Sequence, residues 1–342
     1  MPSQRRTFES RIDYSLLLPV LLLLSIGVTA IYIAVSHDYP NNVLQIVGQQ
    51  VVWILLGFLI SFIVMFFNTK FLWKMTPFLY VLGLGLMVLP LVFYSESLVA
   101  STGAKNWVSI RGVTLFQPSE FMKISYILML SRVVVKFLQQ NKNYERTIAL
   151  DLFLIVKLAL YTLPVLFLLA LQSDLGTALV FAAIYCGIVL LSGVSWKLIL
   201  PIFLTVSLLF AVFMLIFISD GGRAFLHGLG MPTYQINRIS AWLHPFEYAQ
   251  TITYQQAQGQ IAIGSGGLLG QGFNVSNLLV PVRESDMIFT VIAEDFGFLG
   301  SSLVIVIYLV LIYRMLQITI KSNNQFYTYI STGLIMMLLF HI

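Results

Sequence analysis

Long apolar runs separated by short polar breaks dominate this chain from end to end. Nine runs stand out, near residues 14–36, 47–67, 76–94, 118–138, 152–171, 176–193, 197–218, 290–314 and 325–342. Most match the roughly 20 residues that a helix needs to cross a bilayer core. None shows the period-two alternation of a barrel strand, and lipid offers the backbone no outside hydrogen-bond partner, so the pattern predicts helices. The first run lacks a small-residue cleavage site and reads as an anchor rather than a signal peptide. The expected fold is all-α and polytopic, a single integral membrane domain over 1–342 with nine spans.

Composition removes the soluble alternative. Apolar residues make up 58% of the 342 positions and charged residues 10%, with mean hydropathy +0.90. A soluble surface needs about a quarter of its residues charged. The single cysteine, Cys186, lies in an apolar run, which excludes an internal disulfide framework and a thiolate metal site. Histidines 37, 227, 244 and 341 are scattered and do not resemble a metal cluster.

The net charge of +5 is informative through its distribution. Arg5, Arg6, Arg11, Lys70, Lys74, Arg132, Lys136, Lys142, Arg146, Lys197, Arg314 and Lys321 fall at the amino terminus and in alternate loops. Only Lys105, Arg111, Arg223, Arg238 and Arg283 occupy the opposite loops. The positive-inside rule then puts the amino terminus in the cytoplasm and the polar stretches 95–117 and 219–285 outside. The basic excess reports topology, and no nucleic-acid partner is expected. The 219–285 loop is rich in Gly, Gln, Tyr and Trp, so it is expected to fold over the outer mouth of the helices rather than hang as a tether. No internal repeat is visible, which weighs against a transporter built from two equivalent halves.

Four polar groups exceed what membrane packing requires. The first joins Trp107 to Gln117-Pro118-Ser119-Glu120 and Lys123. Pro118 suits a first helical turn, and Glu120 and Lys123 share a helical face, either as a structural ion pair or as the wall of a polar cavity. The second, Gln172 to Thr177, contains Asp174, which fits a helix cap. The third, in the long loop, holds Tyr234 to Ile239 with Arg238, then Gln258, Ser265 and the glycine-dense run 264–272. Those glycines permit close backbone approach to a ligand, but no Gly-Lys-Ser/Thr follows, so the run is not a P-loop. The fourth runs from Pro281 through Arg283, Ser285 and Asp286 to Glu294 and Asp295. Ser285 or Asp286 can cap the helix that follows. Glu294 lies about 12 Å further along and roughly on the same face, which implies a polar cavity reaching inward.

Together these blocks resemble the SEDS family (shape, elongation, division and sporulation), most of all its rod-shape branch, over essentially the whole chain. The matching pieces are Gln117 to Glu120 with Lys123, Asp174 to Thr177, Ala262 to Gly267, and Asp286 through Gly297. The resemblance implies a ten-helix bundle with a large extracellular loop between spans seven and eight. It also implies a catalytic aspartate at the end of that loop, which is Asp286 here, and an ion pair at Glu120 and Lys123. Asn106, Ser173, His244 and Glu284 depart from the common family residues at their positions. The chain ends inside the ninth run, so the family's final span is expected to be missing.

By the same resemblance the expected activity is polymerisation of lipid II into peptidoglycan glycan strands outside the cytoplasmic membrane, serving elongation and cell shape or division. Such a transfer needs a base for the acceptor hydroxyl, for which Asp286 is the candidate. It also needs positive charge for the leaving diphosphate, from Arg238, Arg283, Lys123 or a divalent cation, Mg²⁺ or Mn²⁺. The expected partners are lipid II, the undecaprenyl-diphosphate-linked glycan, a class B penicillin-binding transpeptidase and other membrane proteins of the elongation complex. The rival reading is a flippase for the same lipid, which requires charged groups along a path open to both faces.

Overall fold

The computed structural model describes residues 13–341 except 97–98, 100–102, 111–112, 143, 232, 252, 274 and 276–279. Arg5, Arg6, Arg11 and Arg111, which enter the charge asymmetry, lie outside the described residues. Each of the nine predicted runs is a helix: α1 (Tyr14–Asp38), α2 (Val43–Val64), α3 (Thr69–Val92), α4 (Pro118–Gln140), α5 (Ile148–Gln172), α6 (Leu175–Leu191), α7 (Trp196–Ile218), α11 (Ile288–Lys321) and α12 (Gln325–Leu339). A small antiparallel hairpin, β1 (Val108–Ile110) and β2 (Val113–Phe116), precedes α4. The long loop is structured by α8 (Asp220–Gly228), α9 (Thr233–Leu243) and α10 (Tyr254–Ser265).

Six helices (α1, α2, α3, α5, α7 and α11) are long and apolar enough to cross a membrane by length and composition. Of the other three predicted spans, α6 and α12 have 17 and 15 residues. α4 has the length, but it carries Glu120, Lys123, Arg132 and Lys136. Its position explains the charges: α4 packs against α3, α5, α6 and α12 and is largely buried by them. Protein rather than lipid therefore satisfies its polar groups, as where the Arg132 guanidinium donates to the Trp73 carbonyl at 2.7 Å. The start of α3 lies earlier than the apolar pattern predicts. Asn68 caps it by accepting from the Phe71 N–H, and Lys70 and Lys74 conceal the first two turns from a hydropathy reading.

The chain divides into two compact units, residues 1–66 with 206–314, and residues 67–205 with 315–342. In the first, α1 packs on α2, and small residues of α1 (Ala30, Ala34) meet Val291, Ile292 and Val304 of α11. In the second, a core built on Met122, Tyr126, Leu130 and Val134 of α4 is closed by α3, α5, α6 and α12.

Helix α11 is broken at Gly297, whose φ of 65° and ψ of −159° are non-helical. The glycine-dense run lies against this break. Phe298 N–H donates to the Gly267 carbonyl at 2.9 Å, and Gln271 N–H donates to the Glu294 carbonyl at 2.9 Å. A Cβ on Gly270 would collide with the Asp295 carbonyl, and one on Gly297 with the Gly270 nitrogen. The close approach expected of these glycines is thus an approach to another backbone. It satisfies groups that the break would otherwise strand.

Candidate functional site

In the unit that contains α4, Pro118 occupies the first turn, where a missing N–H leaves no bond unmade. Glu120 and Lys123 follow on one face, with Nζ 2.8 Å from Oε1. The partners are unequally placed: the Lys123 side chain is 2% exposed and that of Glu120 is 60% exposed. Lys123 has a second partner, the Nε2 of His341, at 2.8 Å. The other ring nitrogen of His341 lies 2.7 Å from the Met337 carbonyl, to which it can only donate. This assigns a neutral imidazole with its proton on Nδ1, leaving Nε2 to accept from the ammonium. His341 is 218 residues from Lys123, and no sequence spacing could have paired them.

Asp174 caps α6 and does more. It accepts from the Thr177 N–H at 3.1 Å, the Thr177 hydroxyl at 2.8 Å, Asn106 Nδ2 at 2.9 Å and Gln117 Nε2 at 3.4 Å. One buried carboxylate thereby ties the segment before β1 and the residue before α4 to the start of α6. Nearby, Gln172 donates to the Met87 carbonyl at 2.6 Å and accepts from the Lys105 N–H at 2.8 Å. Asn106, which departs from the family's common residue, is here a working donor to Asp174. Trp107, beside it, is 40% exposed.

In the other unit the segment 281–287 leads into α11 and forms a tight succession of turns. Ser285 and Met287 N–H groups both donate to the Val282 carbonyl, at 3.3 and 3.5 Å, and Gln255 Nε2 donates to the Pro281 carbonyl at 3.1 Å. α11 begins at Ile288, so Asp286 precedes it by two residues rather than standing at its cap. The Asp286 carboxylate is exposed and accepts no hydrogen bond from another described residue. Arg283, three residues earlier, points the opposite way: it is 1% exposed, with Nε 2.9 Å from Asp38 Oδ2 and Nη1 3.7 Å from Glu294 Oε2. Glu294 is itself buried, as is Asp295. Asp38, the last residue of α1, is a partner of Arg283 that the sequence does not announce, since an acid at the end of a span reads as an ordinary loop boundary.

The remaining candidates are dispersed. Arg238 is exposed on α9, Gln258 is half-buried on α10, and the Ser265 hydroxyl donates to the Ala262 carbonyl of its own helix at 2.8 Å. Among the described residues no three His, Cys, Asp or Glu side chains gather as a metal cage. An apolar groove of about 280 Å³ runs between α10 and α11, lined by Ile263, Phe289, Phe298 and Ile305 with glycine backbone between them.

Comparison with known proteins places this arrangement. Residues 14–342 match the cell cycle protein family model of FtsW, RodA and SpoVE. The peptidoglycan glycosyltransferase MrdB of Escherichia coli K12 is 28% identical over 99% of this chain and 84% of its own length. A probable peptidoglycan glycosyltransferase FtsW of Hydrogenovibrio crunogenus is 30% identical over 92% of this chain and 75% of its own. Among solved structures, a chain of a peptidoglycan synthase complex that coordinates polymerisation and crosslinking superposes with a TM-score of 0.73 at 24% identity, covering 95% of this chain and 83% of that one. The rod shape determining protein RodA of Thermus thermophilus superposes with a TM-score of 0.59 at 24% identity, covering 95% and 81%. With the family model matched from α1 to the last residue and the fold shared across nearly the whole length, the chain belongs to the FtsW/RodA/SpoVE family of membrane proteins.

Proposed function

We propose that this protein is a peptidoglycan glycosyltransferase that polymerises lipid II at the outer face of the cytoplasmic membrane, with Asp286 as the general base. The observation that carries the reading is the setting of Asp286: an exposed carboxylate, unbonded to other described residues, on a segment whose neighbour Arg283 is anchored in the interior. A base must be open to substrate and held in place at once, and this segment meets both demands. The names of the curated relatives support the reaction class. The positive-inside asymmetry supports the outward orientation.

In this reaction the acceptor sugar hydroxyl loses its proton to Asp286 as its oxygen attacks the donor's anomeric carbon. The bond from that carbon to the lipid diphosphate breaks on the opposite face, which inverts an α-linkage to β. Negative charge gathers on the leaving diphosphate, for which Arg238, exposed on α9, is the candidate cation; Lys123, 2% exposed and already held by Glu120 and His341, is not offered to it. The groove between α10 and α11 is apolar enough to take a lipid chain. Service in elongation and cell shape follows the rod-shape relatives, and a crosslinking transpeptidase partner follows the synthase complex whose chain shares this fold.

The test is purified protein with lipid II, with and without a class B transpeptidase, resolved for polymer on a gel. Glycan ladders are expected. Absence of polymer, with transbilayer movement of labelled lipid II in proteoliposomes, would replace the enzyme by a flippase.

A further inference from the structure

The ionic cluster beside Asp286 holds more charge than a helix junction needs. Arg283 is buried between two carboxylates from different parts of the chain, Asp38 at 2.9 Å and Glu294 at 3.7 Å. Asp38 ends α1, where the partial negative charge of the helix terminus disfavours a carboxylate, so the acid is placed where a cation must answer it. Its Oδ1 lies 2.8 Å from Nδ1 of the adjacent His37, and its Oδ2 takes a partner from 245 residues away, Arg283. The backbone before that partner is strained: Val282, a β-branched residue, sits at φ 56°. Such a conformation persists only where surrounding contacts hold it. After this residue Arg283 lies buried, while Asp286 stays exposed. Alongside, the charge of Glu284, more than burial or Asp38, pushes the Tyr39 hydroxyl above its ordinary pKa.

We infer that Arg283 is a positioning residue, clamped by Asp38 and Glu294 so that the 281–287 segment is pinned to α1 and α11 and Asp286 is held in one place. The inference rests on the glycosyltransferase reading for its kinetic consequence, but the clamp itself is a statement about structure. It replaces the expectation that Arg283 grips the leaving diphosphate: its charge is already engaged by two acids, and its side chain is 1% exposed.

Two measurements test it. In a Cys186→Ser background, Ser285→Cys places a reporter thiol next to Asp286, and its rate of reaction with an impermeant maleimide reads the order of the segment without any need for activity. Asp38→Asn and Arg283→Met should each raise that rate several-fold. In lipid II polymerisation, each should lower kcat by up to the roughly hundredfold that a displacement of about 1 Å causes, with KM unchanged. The double variant should be no slower than Arg283→Met alone, because the two residues act through one contact. Should Arg283→Met fail to accumulate, Asp38→Asn carries both measurements. An unchanged labelling rate, a raised KM at constant kcat, or single losses that multiply in the double variant would each overturn the clamp. A wild-type protein without polymerase activity would sink the proposed function, yet leave the labelling result standing.

Discussion

Asp286 and Lys123 show two charged side chains handled in opposite ways, one exposed and one buried. Asp286 is open and unbonded to other described residues, which suits a group that must accept a proton. Asparagine keeps its shape but removes that capacity, so Asp286→Asn should lower the polymerisation rate by about 10²–10⁴-fold, read from glycan chain yield against time. A variant near the wild-type rate would take Asp286 out of the reaction. A cap would tolerate the change, because Asn and Asp serve equally there. Lys123 is buried, and its partner Glu120 is largely exposed. Loss of Glu120 strands an ammonium in the interior with, among the described residues, His341 as its remaining partner, whereas loss of Lys123 leaves a carboxylate that water can solvate. Glu120→Gln should therefore cost more stability than Lys123→Met, toward the roughly 3–5 kcal/mol typical of an uncompensated buried charge. Thermal melts in detergent decide the order, and equal melting temperatures would show the pair to be symmetric after all.

The helices themselves differ in how openly the sequence declares them. Nine apolar runs gave nine helices because hydropathy and length are local properties, summed within one segment. α4 was legible as a span only through its flanking pattern, since its charges depend on burial by four other helices. The short helices α8, α9 and α10 were hidden in a loop of mixed composition. The break at Gly297 was invisible because nothing in Phe296-Gly297-Phe298 demands it; the demand comes from the glycine run that docks there. Glu120 with Lys123 was readable from a spacing of three. Asp38 with Arg283, and Lys123 with His341, were not, because chain separation carries no signal of contact. The docking makes a sharp contrast between glycines. Gly297→Ala meets a positive φ and a neighbouring backbone, so it should destabilise by more than the roughly 1–3 kcal/mol of a strained residue. Gly264→Ala, in α10 with open space around its Cβ position, should be neutral or stabilise by up to about 1 kcal/mol. Equal melting temperatures for the two variants would mean that the break is not fixed by these contacts.

At the scale of the whole molecule the orientation in the membrane governs what the site can reach. A single cysteine at Gln250, in a Cys186→Ser background, should react with an impermeant reagent on intact cells. Reaction only after lysis would invert the topology and place Asp286 in the cytoplasm. The broken helix has a mechanical meaning at this scale as well. From Ile288 to Phe296 the piece of α11 before Gly297 is a rod of about 13 Å. A tilt of about 10° at Gly297 would carry its far end through roughly 2 Å, given that length. The residues after Gly297 need not turn with it. One covalent helix therefore serves as two levers, and the aim of the acid-bearing lever is set by the loop lying on its pivot rather than by the bilayer around the other.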